Sequence, residues 1–98
     1  MNYNTITFYK FTEIANSEEL MNQIRSLCES LNLKGRILIG NEGINAGVCG
    51  KNEDIGEFKS HIIKIKSFED ITFRELKSNT NTYHRLVVRV RNEIIALG

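Results

Sequence analysis

Residues 35–50, GRILIGNEGINAGVCG, decide the fold. Arg36 to Ile39 (RILI) reads as a short strand and Ile44 to Cys49 can return beside it, with Asn41, Glu42 and Gly43 between them as a turn signal. The segment therefore reads as two strands paired in a hairpin. Gly43 is where such a turn needs a positive φ, and Gly47 suggests a kink or bulge in the returning strand. Glu42 and Asn45 are expected to order the turn by hydrogen bonding. Glycines at 40, 43, 47 and 50 also suit a close phosphate approach, but their spacing is neither a Walker loop nor a dinucleotide fingerprint, and no P-loop helix is expected at its end. The hairpin is the simpler reading.

Outward from the hairpin, a helix is expected on each side. Asn16 and Ser17 offer N-cap oxygens, Glu18 and Glu19 suit the positive helix end, and Leu20, Met21, Ile24, Leu27, Cys28 and Leu31 follow at helical spacing. Gly35 is the expected stop. On the other side Asn52 is the expected cap of a helix whose inner face is Ile55, Phe58, Ile62 and Ile65. Gly56 inside it costs about 1 kcal/mol relative to alanine. Strands are expected at 5–11 (TITFYKF), 71–76 (ITFREL) and 85–95 (RLVVRVRNEII), the last two separated by a polar loop at 77–82 (KSNTNT). The order is β-α-β-β-α-β with an added terminal strand. That predicts an α+β, ferredoxin-like sandwich: an antiparallel sheet with two helices on one face and the extra strand at its end.

Length and composition agree with a single domain over 1–98. The chain has 98 residues, 41% hydrophobic and 26% charged, with no proline, seven glycines and two cysteines. One modest core is what this length can bury, which excludes a two-lobed enzyme; collagen-like, low-complexity and disulfide-dense classes are excluded by composition. No apolar run approaches the roughly 20 residues of a membrane helix. The opening MNYNTITFYK has no basic region followed by an apolar stretch, so no secretory signal and a reducing, cytoplasmic setting are expected. The net charge of +1 conceals a division: residues 1–70 carry 8 basic and 10 acidic side chains, whereas residues 71–98 carry 5 basic and 2 acidic.

Two segments carry a resemblance. Gly35-Arg36-Ile37, Glu42-Gly43-Ile44-Asn45 and Val48-Cys49-Gly50 form one pattern; Arg85 to Ile94, in HRLVVRVRNEIIALG, forms the other. Together with FYKF near the start they resemble the N-terminal acylphosphatase-like domain of the bacterial rhodanese-domain tRNA uridine hydroxylases, over nearly the whole chain. The resemblance implies an acylphosphatase-like fold, tRNA as partner and a rhodanese domain of the same protein as the second partner. In that family the rhodanese loop cysteine is credited with oxygen-dependent hydroxylation of the wobble uridine. No segment here reads as that loop, so the resemblance implies a non-catalytic N-terminal module, with no catalytic residue and no cofactor of its own. The acylphosphatase likeness is one of fold: the connection at 12–16 (TEIAN) has no glycine or arginine and includes Glu13, which repels phosphate.

The candidate binding residues are arginines. Alternation places Arg85, Val87, Arg89, Arg91 and Glu93 on one strand face, and Arg36 and Arg74 lie on other strands. Arginine forks suit phosphate, and neutralising RNA phosphates releases counterions. Three readings stay open for this face: a solvated strand surface, packing against the rhodanese domain without nucleic-acid contact, and direct tRNA contact. Tyr3, Tyr9 and Phe11 suit stacking on unpaired bases, but the glycine-aromatic run of RNA-recognition modules is missing, and Phe8 and Phe11 read as core and sheet-edge packing. Tyr83 is expected to be exposed beside His84. Cys28 falls on the apolar stripe as a buried thiol, and Cys49 is expected to be more exposed. Neither has metal-ligand spacing with His61 or His84, so no metal site is expected. The acidic pairs 18/19, 53/54 and 69/70 read as helix-dipole and solubility features.

Overall fold

The first helix forms as its stripe dictates and ends by a different device from the expected one. In the computed structural model, which describes residues 1–94, α1 spans Ser17–Ser30. Asn16 caps it, accepting the Glu19 N–H at 3.1 Å. Leu20, Ile24 and Cys28 are buried one turn apart. At the other end Asn32 takes a left-handed φ of 54°, the Leu33 N–H donates to Cys28 O at 2.9 Å and the Asn32 N–H to Glu29 O at 3.2 Å. That is the Schellman closure, with asparagine in the place where glycine is commoner. Gly35 lies past it, inside a strand. It faces the core so close to the Gly47 carbonyl that no side chain fits.

Around this helix stand β1 (Tyr3–Phe11), β2 (Lys34–Gly40), β3 (Gly43–Lys51), α2 (Asn52–Ile62), β4 (Arg74–Ser78) and β5 (Leu86–Val90). The strand order is β4-β1-β3-β2-β5. The first four are antiparallel neighbours, as the pattern predicts, and β5 joins beside β2 in parallel, making the sheet mixed. Both helices lie on one face. The core between them and the sheet holds Ile6, Phe8, Ile37, Ile39, Ile44 and Val48 from the strands against Ile24, Ile55, Phe58 and Ile62 from the helices. Each such side chain contributes roughly 1.5–3 kcal/mol on burial.

Several boundaries differ from expectation. α2 stops at Ile62, leaving Ile65 beyond it. Lys51 occupies the N-cap position without a side-chain cap bond. Asn52 instead donates to Met1 O at 2.9 Å and accepts from Lys77 Nζ at 3.0 Å. β4 starts at Arg74 because Ile71 and Phe73 pack toward the core first, Phe73 meeting Phe8 edge-on at 5.1 Å. β5 covers five residues of the expected 85–95; Ile95 lies outside the described residues. Gly47 makes no bulge: it pairs in register with Thr7 on one side and Arg36 on the other.

Candidate nucleic-acid interface

Alternation along each strand sorts the sheet into two chemically different faces. The even positions of β1 and β3 feed the core. The odd ones, with Arg36 and Leu38 of β2, Val87 and Arg89 of β5 and Arg74 and Leu76 of β4, face away from the helices. The register aligns Arg74, Thr7, Gly47, Arg36 and Val87 in one row across the five strands, and Tyr9, Asn45, Leu38 and Arg89 in the next. At about 4.8 Å per strand step, Arg74 and Arg36 stand roughly 14 Å apart at the backbone.

Two stretches of chain lie over this face and leave a groove between them. β4 and β5 are opposite edges of the sheet, so residues 79–85 must cross it. Thr82 meets the Thr5 hydroxyl at 2.9 Å, Asn81 donates to Cys49 O at 3.3 Å, and the Gly35 N–H donates to Arg85 O at 3.0 Å. Tyr83 packs onto Gly47, where any added side chain would meet its hydroxyl. Glycine is at 47 to admit this ring. The crossing also buries Cys49 and half-buries Tyr83, correcting the expectation that both are exposed.

At the other end, residues 91–94 turn back over the sheet. The Arg91 N–H donates to Ile39 O at 2.8 Å, and the Arg91 carbonyl closes on Gly40. Ile94 is then held from both sides: its N–H donates to Glu42 Oε1 at 3.0 Å, and its carbonyl accepts from Asn45 Nδ2 at 2.8 Å. Glu42 and Asn45 were expected to order their own turn; they clasp this exit segment, and Ile94 is fully buried. Gly43 has the expected positive φ, 146°, against the Lys10 carbonyl.

The groove floor is Thr7, Gly47, Arg36, Leu38 and Asn45, with Tyr83 at its rim, enclosing about 340 Å³. Arg36, Arg74 and Arg89 lie along this band and are exposed. Arg85 and Arg91 flank β5 at its two ends, also exposed, nearer the covering segments. Among the described residues none of these five arginines has a carboxylate within salt-bridge distance, and no strand position on this face holds Asp or Glu. The helix layer is the reverse: α1 and α2 carry Glu18, Glu19, Glu29, Glu53, Asp54 and Glu57 against Arg25 and Lys59. Uncompensated guanidinium groups around a shallow, small-residue floor suit an extended anion such as a phosphate backbone.

Arg25, which sequence reasoning passed over, serves the fold. Its guanidinium reaches from α1 to the outer edge of β5 and donates to Val88 O at 2.6 Å, covering a carbonyl that has no strand partner among the described residues. Phe11 is another correction: it is exposed, in edge-to-face contact with exposed Tyr9 at 6.0 Å. Phe8 is buried as expected.

No cluster of three or more His, Cys, Asp or Glu occurs among the described residues. Cys28 is buried, and burial, with Glu29 nearby, pushes its thiol up to about 12, so it is no nucleophile at neutral pH. In the connection between β1 and α1, the Thr12 and Ile14 N–H groups already donate to Glu42 O and Asn41 O, both at 3.0 Å. Those amides are not free for phosphate.

Comparison with known proteins bears out the resemblance. The family model for the UPF0176 acylphosphatase like domain matches residues 3–94. A tRNA uridine(34) hydroxylase of Staphylococcus haemolyticus is 38% identical over the whole chain, and one of Staphylococcus carnosus is 35% identical over 99% of it. The chain spans 31% of the length of each. Among solved structures, an acylphosphatase from Coxiella burnetii aligns over 92% of both chains with a TM-score of 0.58 and 14% identity. The BLUF protein BlrB in its dark state aligns over 88% of this chain and 72% of its own, with a TM-score of 0.69 and 14% identity. At such identities these two speak to the fold. The hairpin motif, the arginine strand and the match across nearly every described residue make the chain a member of the UPF0176 acylphosphatase-like domain family.

Proposed function

We propose that this chain is the tRNA-positioning module of an enzyme that hydroxylates the wobble uridine. On this reading a rhodanese domain of the same protein performs the oxidation, and the present domain contributes no reacting group. Arg36, Arg74 and Arg89 bind the RNA backbone across the helix-free groove, which sets register and orientation but carries little sequence information. The observation that carries the reading is the division of charge. Among the described residues, arginines without carboxylate partners line a face whose strand positions hold no Asp or Glu, while the helices behind it carry more acids than bases. The activity of the relatives, tRNA uridine(34) hydroxylases, supplies the substrate class.

The test is binding of deacylated tRNA to the 98-residue chain at low salt. Reversing Arg36 and Arg89 to glutamate should weaken it by about tenfold or more, since a hydrogen bond to a charged group is worth about 1.5–3 kcal/mol. Unchanged affinity would remove the RNA contact. The exposed Tyr9–Phe11 pair and the clasp on Ile94 favour a second reading, in which the same face docks the rhodanese domain. Association with a separately supplied rhodanese domain would then be strong and only weakly sensitive to salt, and tRNA affinity would be indifferent to the arginines.

A further inference from the structure

We propose that the cleft beside Tyr9 receives one unpaired nucleotide of an RNA strand, its base stacked on the Tyr9 ring and its phosphate held by Arg74. The inference rests on the RNA reading above and adds to it a site for a base.

The cleft arises from the topology. Pairing between β1 and β4 ends at Thr7 opposite Arg74, while β1 itself continues to Phe11. Residues 70–73 peel away as Ile71 and Phe73 turn toward the core. The opening encloses about 560 Å³, lined by Thr7, Tyr9, Asn45, Asp70, Thr72 and Arg74 among others. That lies within the roughly 300–1,000 Å³ typical of small-ligand sites.

Its walls match the parts of a nucleotide. Tyr9 is 65% exposed, and Phe11 packs edge-to-face against it at an interplanar angle of 71°. An exposed aromatic ring beside a cleft is the kind of surface on which single-stranded nucleic acids stack whatever the base. Arg74 stands on the next strand, one step along the register. Asp70, the carboxylate in the cleft, is occupied: Lys10 Nζ lies 2.8 Å from each of its oxygens. Its charge is balanced locally and does not oppose a phosphate at Arg74. The Thr7 and Thr72 hydroxyls and the Asn45 Oδ1 remain as hydrogen-bonding groups for ribose or base edge; Asn45 Nδ2 is committed to Ile94. A duplex keeps its bases stacked inside and has none to offer such a wall. The occupant is therefore an unpaired nucleotide.

The experiment measures binding of an eight-residue oligouridylate and of a blunt RNA duplex to the chain and to its Y9A, Y9F and R36E/R89E variants. Tyr9→Ala should weaken the single strand by about tenfold, because base–aromatic stacking is worth about 1–3 kcal/mol. It should leave the duplex unchanged. Tyr9→Phe should keep single-strand affinity within about twofold, as stacking needs the ring and not the hydroxyl. Circular dichroism melting of each variant shows whether the fold survives, and equal melting with lost affinity assigns the loss to the site. If Tyr9→Ala leaves single-strand binding intact while Arg36→Glu/Arg89→Glu weakens it, the base site is wrong and the phosphate reading stands. If Tyr9→Ala weakens duplex and single strand alike, stacking is likewise rejected. Binding of neither RNA by the unaltered chain overturns both.

Discussion

Gly47 and the residues above it show how single positions shape the groove. Its missing side chain lets Tyr83 lie on the sheet, and that ring forms the groove rim. Gly47→Ala should therefore lower stability by about 1–3 kcal/mol, the usual range for an overpacked contact. Denaturant unfolding would measure it, and adding Tyr83→Phe should restore part of the loss by removing the hydroxyl that clashes. Cys28 makes a pH prediction. Its thiol is raised from 9.0 to about 12 in the folded chain by burial, so the folded state resists the thiolate that the unfolded chain forms freely. Its contribution is complete below pH 9 and declines as the pH rises from about 9 toward 12. Unfolding midpoints followed from pH 8 to 11 should fall, and a Cys28→Ala variant should fall less steeply. Cys28 is legible from helical spacing alone. Cys49 is not, because what buries it is a connection that follows it by some thirty residues and is placed by the position of β5.

At the scale of elements, the local signals are the readable ones. The stripe from Leu20 to Cys28 and the alternation in β1, β2 and β3 each depend on neighbours within a few residues, and each forms as its pattern dictates. Misreadings fall where a distant segment decides. Asn32 ends α1 in place of Gly35 because Gly35 is needed against Gly47. Asn52 leaves its cap role for Met1 and Lys77. Glu42 and Asn45 reach some fifty residues along the chain to Ile94. The clasp predicts a local effect: Glu42→Ala should speed hydrogen exchange at the Ile94 amide while the amides of β3 keep their protection. Gly56 is the opposite case, with open space around the position a side chain would take. Gly56→Ala should raise stability by about 1 kcal/mol, measured by thermal or denaturant unfolding.

The strand positions that face away from the helices carry arginines and no acid, and that local separation carries the functional account. The net charge of +1 gives no hint of it. The excess of basic residues after position 70 points the right way, but the strands that gather Arg36, Arg74 and Arg89 come from three places in the sequence and meet only through the order β4-β1-β3-β2-β5. The fold class is thus legible from pattern, and the arginine face in part. The groove is not, since both its borders are segments laid over the sheet from elsewhere. A salt titration of tRNA binding tests the central claim most directly. With Arg36, Arg74 and Arg89 each neutralising a phosphate, log affinity should fall against log salt with a slope of about −2 to −3, and replacing all three with alanine should flatten it toward zero. A slope that the triple replacement leaves unchanged would contradict the account.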